Sequence, residues 1–113
     1  MLFRSPAVPT LNLSFNAQTG TTYTLVSGDV NKLVTLSNSS AITVTIPNGV
    51  FSTGQQINLQ QIGAGQVSIV SDGTTVITST GATSTAPNLR AQYSACTIVC
   101  TSSNNFTVIG DLS

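Results

Sequence analysis

The strongest constraint in this chain is a period of two. In Ile42-Thr43-Val44-Thr45-Ile46, apolar and hydroxyl side chains alternate without a break. Such alternation sends one set to each side of an extended backbone and does not fit the 3.6-residue period of a helix. The pattern recurs along the chain. Tyr23 and Leu25 alternate with Thr22 and Thr24, Ile57 and Leu59 flank Asn58, and Val67 and Ile69 flank Ser68. Cys96, Ile98 and Cys100 share one face of a later run, and Phe106 and Val108 share a face of the last. Thr, Val and Ile dominate these runs, and their branched side chains suit a pleated surface packed on one side. No stretch carries helical spacing.

Turn chemistry separates the runs. Ser27-Gly28-Asp29, Ser37-Asn38-Ser39-Ser40, Pro47-Asn48-Gly49 and Ser102-Ser103-Asn104-Asn105 each interrupt an alternating segment. Gly63-Ala64-Gly65 reads as a tight hairpin loop, and Asp72-Gly73 as a type I′ turn with both central residues at positive φ. About eight or nine short strands at this spacing predict an all-β fold, an antiparallel β-sandwich or small β-barrel. No internal repeat of solenoid length is visible.

Composition then narrows the chemistry. The 113 residues suit one domain and include three basic and three acidic side chains, with no His and no Glu. Three cations leave little to neutralise phosphates, which argues against nucleic-acid binding. No basic amphipathic stretch addresses a membrane surface, and no apolar run approaches the ~20 residues of a membrane span. General acid–base catalysis usually draws on His or on paired carboxylates, and the three Asp are well separated, so an enzyme is not expected. No cluster of ligating residues points to a metal, and no cofactor is expected. Cys96 and Cys100 lie on one strand with alpha carbons about 13 Å apart, too far for a mutual disulfide, and read as small buried hydrophobes. The first residues hold too short an apolar run for a signal peptide.

Two segments stand apart from the strand pattern. Residues 1–14 read as an extended arm and 15–113 as a single β-domain. Pro6 and Pro9 keep the arm's start out of a central strand, and Leu11, Leu13 and Phe15 then alternate toward a sheet edge. Met1, Leu2, Phe3, Arg4, Pro6, Pro9, Leu11 and Leu13 are the candidate interaction residues. A proline-stiffened apolar arm can dock in a neighbouring subunit at reduced ordering cost. Residues 79–88 form a small-residue loop of a length associated with function or motion. The strands also lack the charged residues that normally guard sheet edges, which favours burial of those edges in a symmetric homo-oligomer.

Several segments, taken as a series, resemble a β-domain that recurs in virion proteins of tailed bacteriophages. They are residues 15–25 (FNAQTGTTYTL), 32–47 (KLVTLSNSSAITVTIP), 54–59 (GQQINL), 63–67 (GAGQV), 89–94 (LRAQYS) and 106–112 (FTVIGDL). The resemblance implies a virion structural protein without catalytic residues. A free-standing domain with an N-terminal arm is similar in plan to small head decoration, or cement, proteins. Those bind the assembled major capsid protein, often as homotrimers, on the capsid exterior. The alternative is a tail-fibre or tail-tip domain that recognises a host surface glycan through residues 79–88 and polar strand faces. Carbohydrate sites favour exposed aromatic rings, whereas several of the six aromatics here fall on core-facing phases.

Overall fold

A computed structural model describes residues 12–80 and 85–113. It contains nine strands: β1 (Ser14–Gln18), β2 (Thr22–Thr24), β3 (Lys32–Leu36), β4 (Ile42–Ile46), β5 (Gln56–Gln61), β6 (Val67–Ser71), β7 (Val76–Ser79), β8 (Ala95–Ser102) and β9 (Asn105–Gly110). Helical structure among the described residues is limited to a single 3-10 turn at Ser27–Asp29. The all-β expectation and the strand count therefore hold.

The pairing differs from the expected antiparallel one. Five of the seven strand ladders are parallel, and only β5–β8 and β8–β9 are antiparallel. The six-stranded sheet runs β1-β3-β5-β8-β9-β7, and the three-stranded sheet runs β2-β4-β6. Successive strands from β1 to β6 thus alternate between the two sheets, and the chain winds in three stacked coils: β1/β2, β3/β4 and β5/β6. This is a solenoid-like path. Coils of unequal length hide it in the sequence, because β1, β3 and β5 begin at Ser14, Lys32 and Gln56.

The expected hairpins at Gly63–Gly65 and Asp72–Gly73 are instead corners at which the chain crosses from one sheet to the other. The glycines of the first corner serve coil stacking. A Cβ on Gly65 would overlap the Ser40 carbonyl, and one on Gly63 would come within 2.6 Å of Asn38 backbone atoms. Each corner is hydrogen-bonded to its neighbour: Gly65 N–H donates to the Asn38 carbonyl at 2.8 Å, and the Asn38 amide donates to the Thr19 carbonyl at 2.8 Å. At Asp72–Gly73 only Gly73 has positive φ (102°), so the turn is not type I′. Among the described residues the one true hairpin joins β8 to β9, with Asn104 in the left-handed region at φ 58°.

The core fills the space between the sheets, as the alternation predicts. Val34, Leu36, Ile57 and Leu59 from the larger sheet meet Ile42, Val44, Ile46, Val67 and Ile69 from the smaller. Beyond the third coil the larger sheet continues alone. Its inner residues Ile77, Ile98, Phe106 and Val108 are covered there by Phe51 and Leu89 from connecting segments. Phe51 meets Phe106 edge to face with ring centroids 6.0 Å apart, a favoured aromatic geometry. Cys96 and Cys100 are buried free thiols in this layer. Burial pushes the Cys96 thiol up to about 12, so it stays protonated and unreactive at neutral pH.

Candidate interaction surface

Of the candidate arm residues, Met1, Leu2, Phe3, Arg4, Pro6, Pro9 and Leu11 lie outside the described residues. Leu13 is described, and its place is informative. It is half-exposed and lines an open groove on the outer face of the six-stranded sheet, together with Leu33, Asn58, Ala95, Thr97 and Ile109. The described chain therefore enters the domain across this face.

Register builds the face one strand at a time. Phe15 pairs with Leu33, Leu33 with Asn58, Asn58 with Thr97, and Thr97 with Ile109. These five side chains form a single row across the outer surface, because paired residues in adjacent strands share a side of the sheet. Phe15 is 66% exposed and Ile109 61%, which leaves apolar groups at both ends of the row. In the middle, the Thr97 hydroxyl donates to the Asn58 side-chain carbonyl at 2.7 Å. The next row holds Ala17, Thr35, Gln60 and Ala95. No outward-facing position of these strands carries a charge.

The outward placement of Phe15 has a cause in its neighbours. Asn16 and Gln18 occupy the inward phase of β1, where they belong to a polar cluster at the open end of the first coil. One Asn16 amide nitrogen lies 2.8 Å from both the Tyr23 hydroxyl oxygen and Asp29 Oδ1. The Tyr23 hydroxyl donates to Asp29 Oδ2 at 2.7 Å, and Val26 N–H donates to the same oxygen at 3.0 Å. Gln18 donates its amide to Asn16 Oδ1. Asp29 is 1% exposed, yet both of its oxygens are satisfied. Burial, with the hydrogen bond and charge of Asp29, raises the Tyr23 hydroxyl to about 12. Sequence reasoning placed Asp29 as a turn former only. It is also the acceptor that closes one end of the core.

Of the remaining acids, Asp72 accepts backbone N–H groups from Asn48, Thr74 and Thr75 and is held below the ordinary carboxylate range by those bonds. Asp111 is lowered by its hydrogen bonds from Arg90 and Ser94. Arg90–Asp111 is the only ion pair among the described residues. No group of three His, Cys, Asp or Glu among the described residues could hold a metal ion. No helix among them is long and apolar enough to cross a membrane.

The aromatics divide between core and surface. Phe51 and Phe106 are buried, whereas Phe15 and Tyr93 are exposed. Tyr93, 63% exposed, sits at φ 70° between Gln92 and Ser94. In the loop expected at residues 79–88, residues 81–84 lie outside the described residues, and Ser79 ends β7. The described residues thus form an all-β structure with a neutral outer face on its larger sheet. The chain matches no known protein family, no curated protein and no solved structure.

Proposed function

We propose that the chain is a virion structural protein of a tailed phage. In this reading it is a decoration or cement protein that binds the assembled major capsid protein on the outside of the head and bridges neighbouring subunits. It acts without catalysis and without a cofactor. The observation that carries the reading is the neutral row from Phe15 to Ile109, with Leu13 at its side. Burying such a face costs no desolvated charge, and each Å² of apolar area removed from water stabilises by about 25 cal/mol. The lattice of a capsid repeats the contact many times, so a modest area per copy suffices when a symmetric homotrimer engages several sites at once. Leu13 sets the described start of the chain on the same surface.

A copy count on purified particles tests location: hundreds of copies support the head, and tens or fewer place the chain in the tail. Deletion of residues 1–9 is expected to leave a folded domain that no longer joins particles, and undiminished occupancy would overturn the role of the arm. Ile109→Lys, which sets a charge in the row without touching the core, is expected to abolish particle binding with folding intact.

Tyr93 favours a second reading. Its exposed ring offers the stacking surface that a sugar requires, and the nearby backbone is pinned by the Gln60 amide on the Tyr93 carbonyl and the Gln92 amide on the Ile62 carbonyl. On this basis the chain would be a tail-fibre or tail-tip domain that recognises a host glycan. Glycan-array binding lost in Tyr93→Ala would establish it.

A further inference from the structure

The sequence contains a single Asn-Gly pair, Asn48-Gly49, and it lies where three turns meet. Asn48 and Gly49 are exposed and follow β4. Asn48 N–H donates to Asp72 Oδ2, from the β6–β7 turn, at 2.8 Å. Gly49 N–H donates to Asn104 Oδ1, from the β8–β9 hairpin, at 3.0 Å. Asn104 is itself fixed, since its carbonyl accepts Val76 N–H at 2.9 Å.

The chemistry of this pair is specific. In an Asn-Gly sequence the glycine backbone nitrogen attacks the asparagine side-chain carbonyl carbon. A carbon–nitrogen bond forms to the backbone, the bond to the side-chain nitrogen breaks, and ammonia leaves with the proton from the glycine nitrogen. Water then opens the cyclic imide at either carbonyl, giving aspartate or isoaspartate. The net reaction consumes one water and releases one ammonia, with no change of oxidation state. Glycine at the second position makes the attack easy because no Cβ blocks the nitrogen.

We propose that Asn48 is a deamidation site whose reaction is restrained by the hydrogen bond from Gly49 N–H to Asn104. The proton that must leave the attacking nitrogen is engaged by the Asn104 side chain, and the Gly49 backbone is held in the left-handed region at φ 69°. The site therefore reacts when the three turns separate. Its product places a carboxylate beside Asp72 in a chain of zero net charge, and the isoaspartyl form lengthens the backbone within the turn. Both changes oppose reclosure. Modification thus records past opening of this end of the domain.

The test is peptide mass spectrometry of the full chain after incubation in mildly alkaline buffer, reading the mass gain of amide-to-acid conversion at Asn48. The folded chain is expected to react on the order of tenfold more slowly than the same chain in denaturant, the rate equivalent of one hydrogen bond. Asn104→Gly keeps the left-handed backbone and deletes the acceptor, and is expected to close most of that gap. Asn104→Asp retains an acceptor oxygen and is expected to stay slow. Equal rates in the folded and denatured wild-type chain would overturn the proposal. So would an Asn104→Gly rate no faster than wild type, or an Asn104→Asp rate matching Asn104→Gly.

Discussion

The two ends of the core are closed by opposite means. At the first coil, β1 and β2 are the edge strands of their sheets among the described residues, and the space between them is filled by Asn16, Gln18, Tyr23 and Asp29 joined through hydrogen bonds. At the far end the larger sheet adds β8, β9 and β7, and the β6 edge is met by an isolated antiparallel bridge from Ser68 to Asn88. Apolar side chains do the filling there, with Phe51 against Phe106 and Leu89 fully buried. The difference shows that a stacked-coil core can end on a satisfied polar cluster as well as on extra strands. The polar solution tolerates partial exposure to water, which an apolar end would not.

Substitutions can break that comparison. The largest effect is expected at the apolar end: Ile98→Ala, at a fully buried site, should cost about 2–5 kcal/mol in denaturant unfolding. If the polar end closes the core as effectively, Asp29→Ala should cost roughly 3 kcal/mol, since it leaves the Tyr23 hydroxyl, an Asn16 amide and Val26 N–H without their acceptor. A negligible loss would reduce the cluster to surface decoration. Tyr23→Phe removes one of those bonds and is expected to cost about 1–2 kcal/mol.

The same tyrosine sharpens the comparison through pH. Its hydroxyl titrates near 10 when unfolded and near 12 when folded. A raised acid favours the folded state fully below pH 10, and that contribution is lost as pH rises toward 12. Cys96, raised to about 12 from 9.0, acts in the same direction. The difference between wild type and Tyr23→Phe isolates the tyrosine: wild type should lose its advantage over the variant between pH 10 and 12. The smallest effect belongs to Arg90–Asp111. Its side chains are 62% and 43% exposed, so solvent screens the pair. Arg90→Ala should leave the thermal midpoint and its salt dependence nearly unchanged.

The strands and their inward faces were legible in the sequence because burial leaves a period of two at Ile42–Ile46, Ile57–Leu59 and Cys96–Cys100. Pairing direction was not. Alternation says which side a residue faces and nothing about the neighbour's direction, and Gly63-Ala64-Gly65 serves a hairpin loop or a corner between sheets equally well. Stacked corners leave their mark in the glycines that meet Asn38 and Ser40, a contact between residues more than twenty positions apart. The polar cluster was hidden for a similar reason. Asn16, Tyr23 and Asp29 each read locally as a strand or turn residue, and only the winding of the first coil brings them together. A faint signal did exist, since β1 pairs an apolar phase (Phe15, Ala17) with an amide phase (Asn16, Gln18). An edge strand with amides facing inward implies something polar inside to receive them. The outer row from Phe15 to Ile109 depends on register across four ladders, which no single segment reveals.

The strand order also sets the sequence of events when the chain is made. Among the described strands β7 is joined only to β9, and β8 lies between β5 and β9 in the larger sheet. The first six strands can stack as their residues emerge, each coil resting on the one before. β7 must wait, because β9, its one partner among the described strands, is synthesised after it. Until Asn105–Gly110 is available, Ile77 lacks its partner strand and the outer edge of β8 is open. A ribosome-stalled chain ending before β9 would therefore present that edge to solvent, and the emergence of β9 decides when these strands become resistant to aggregation and proteolysis.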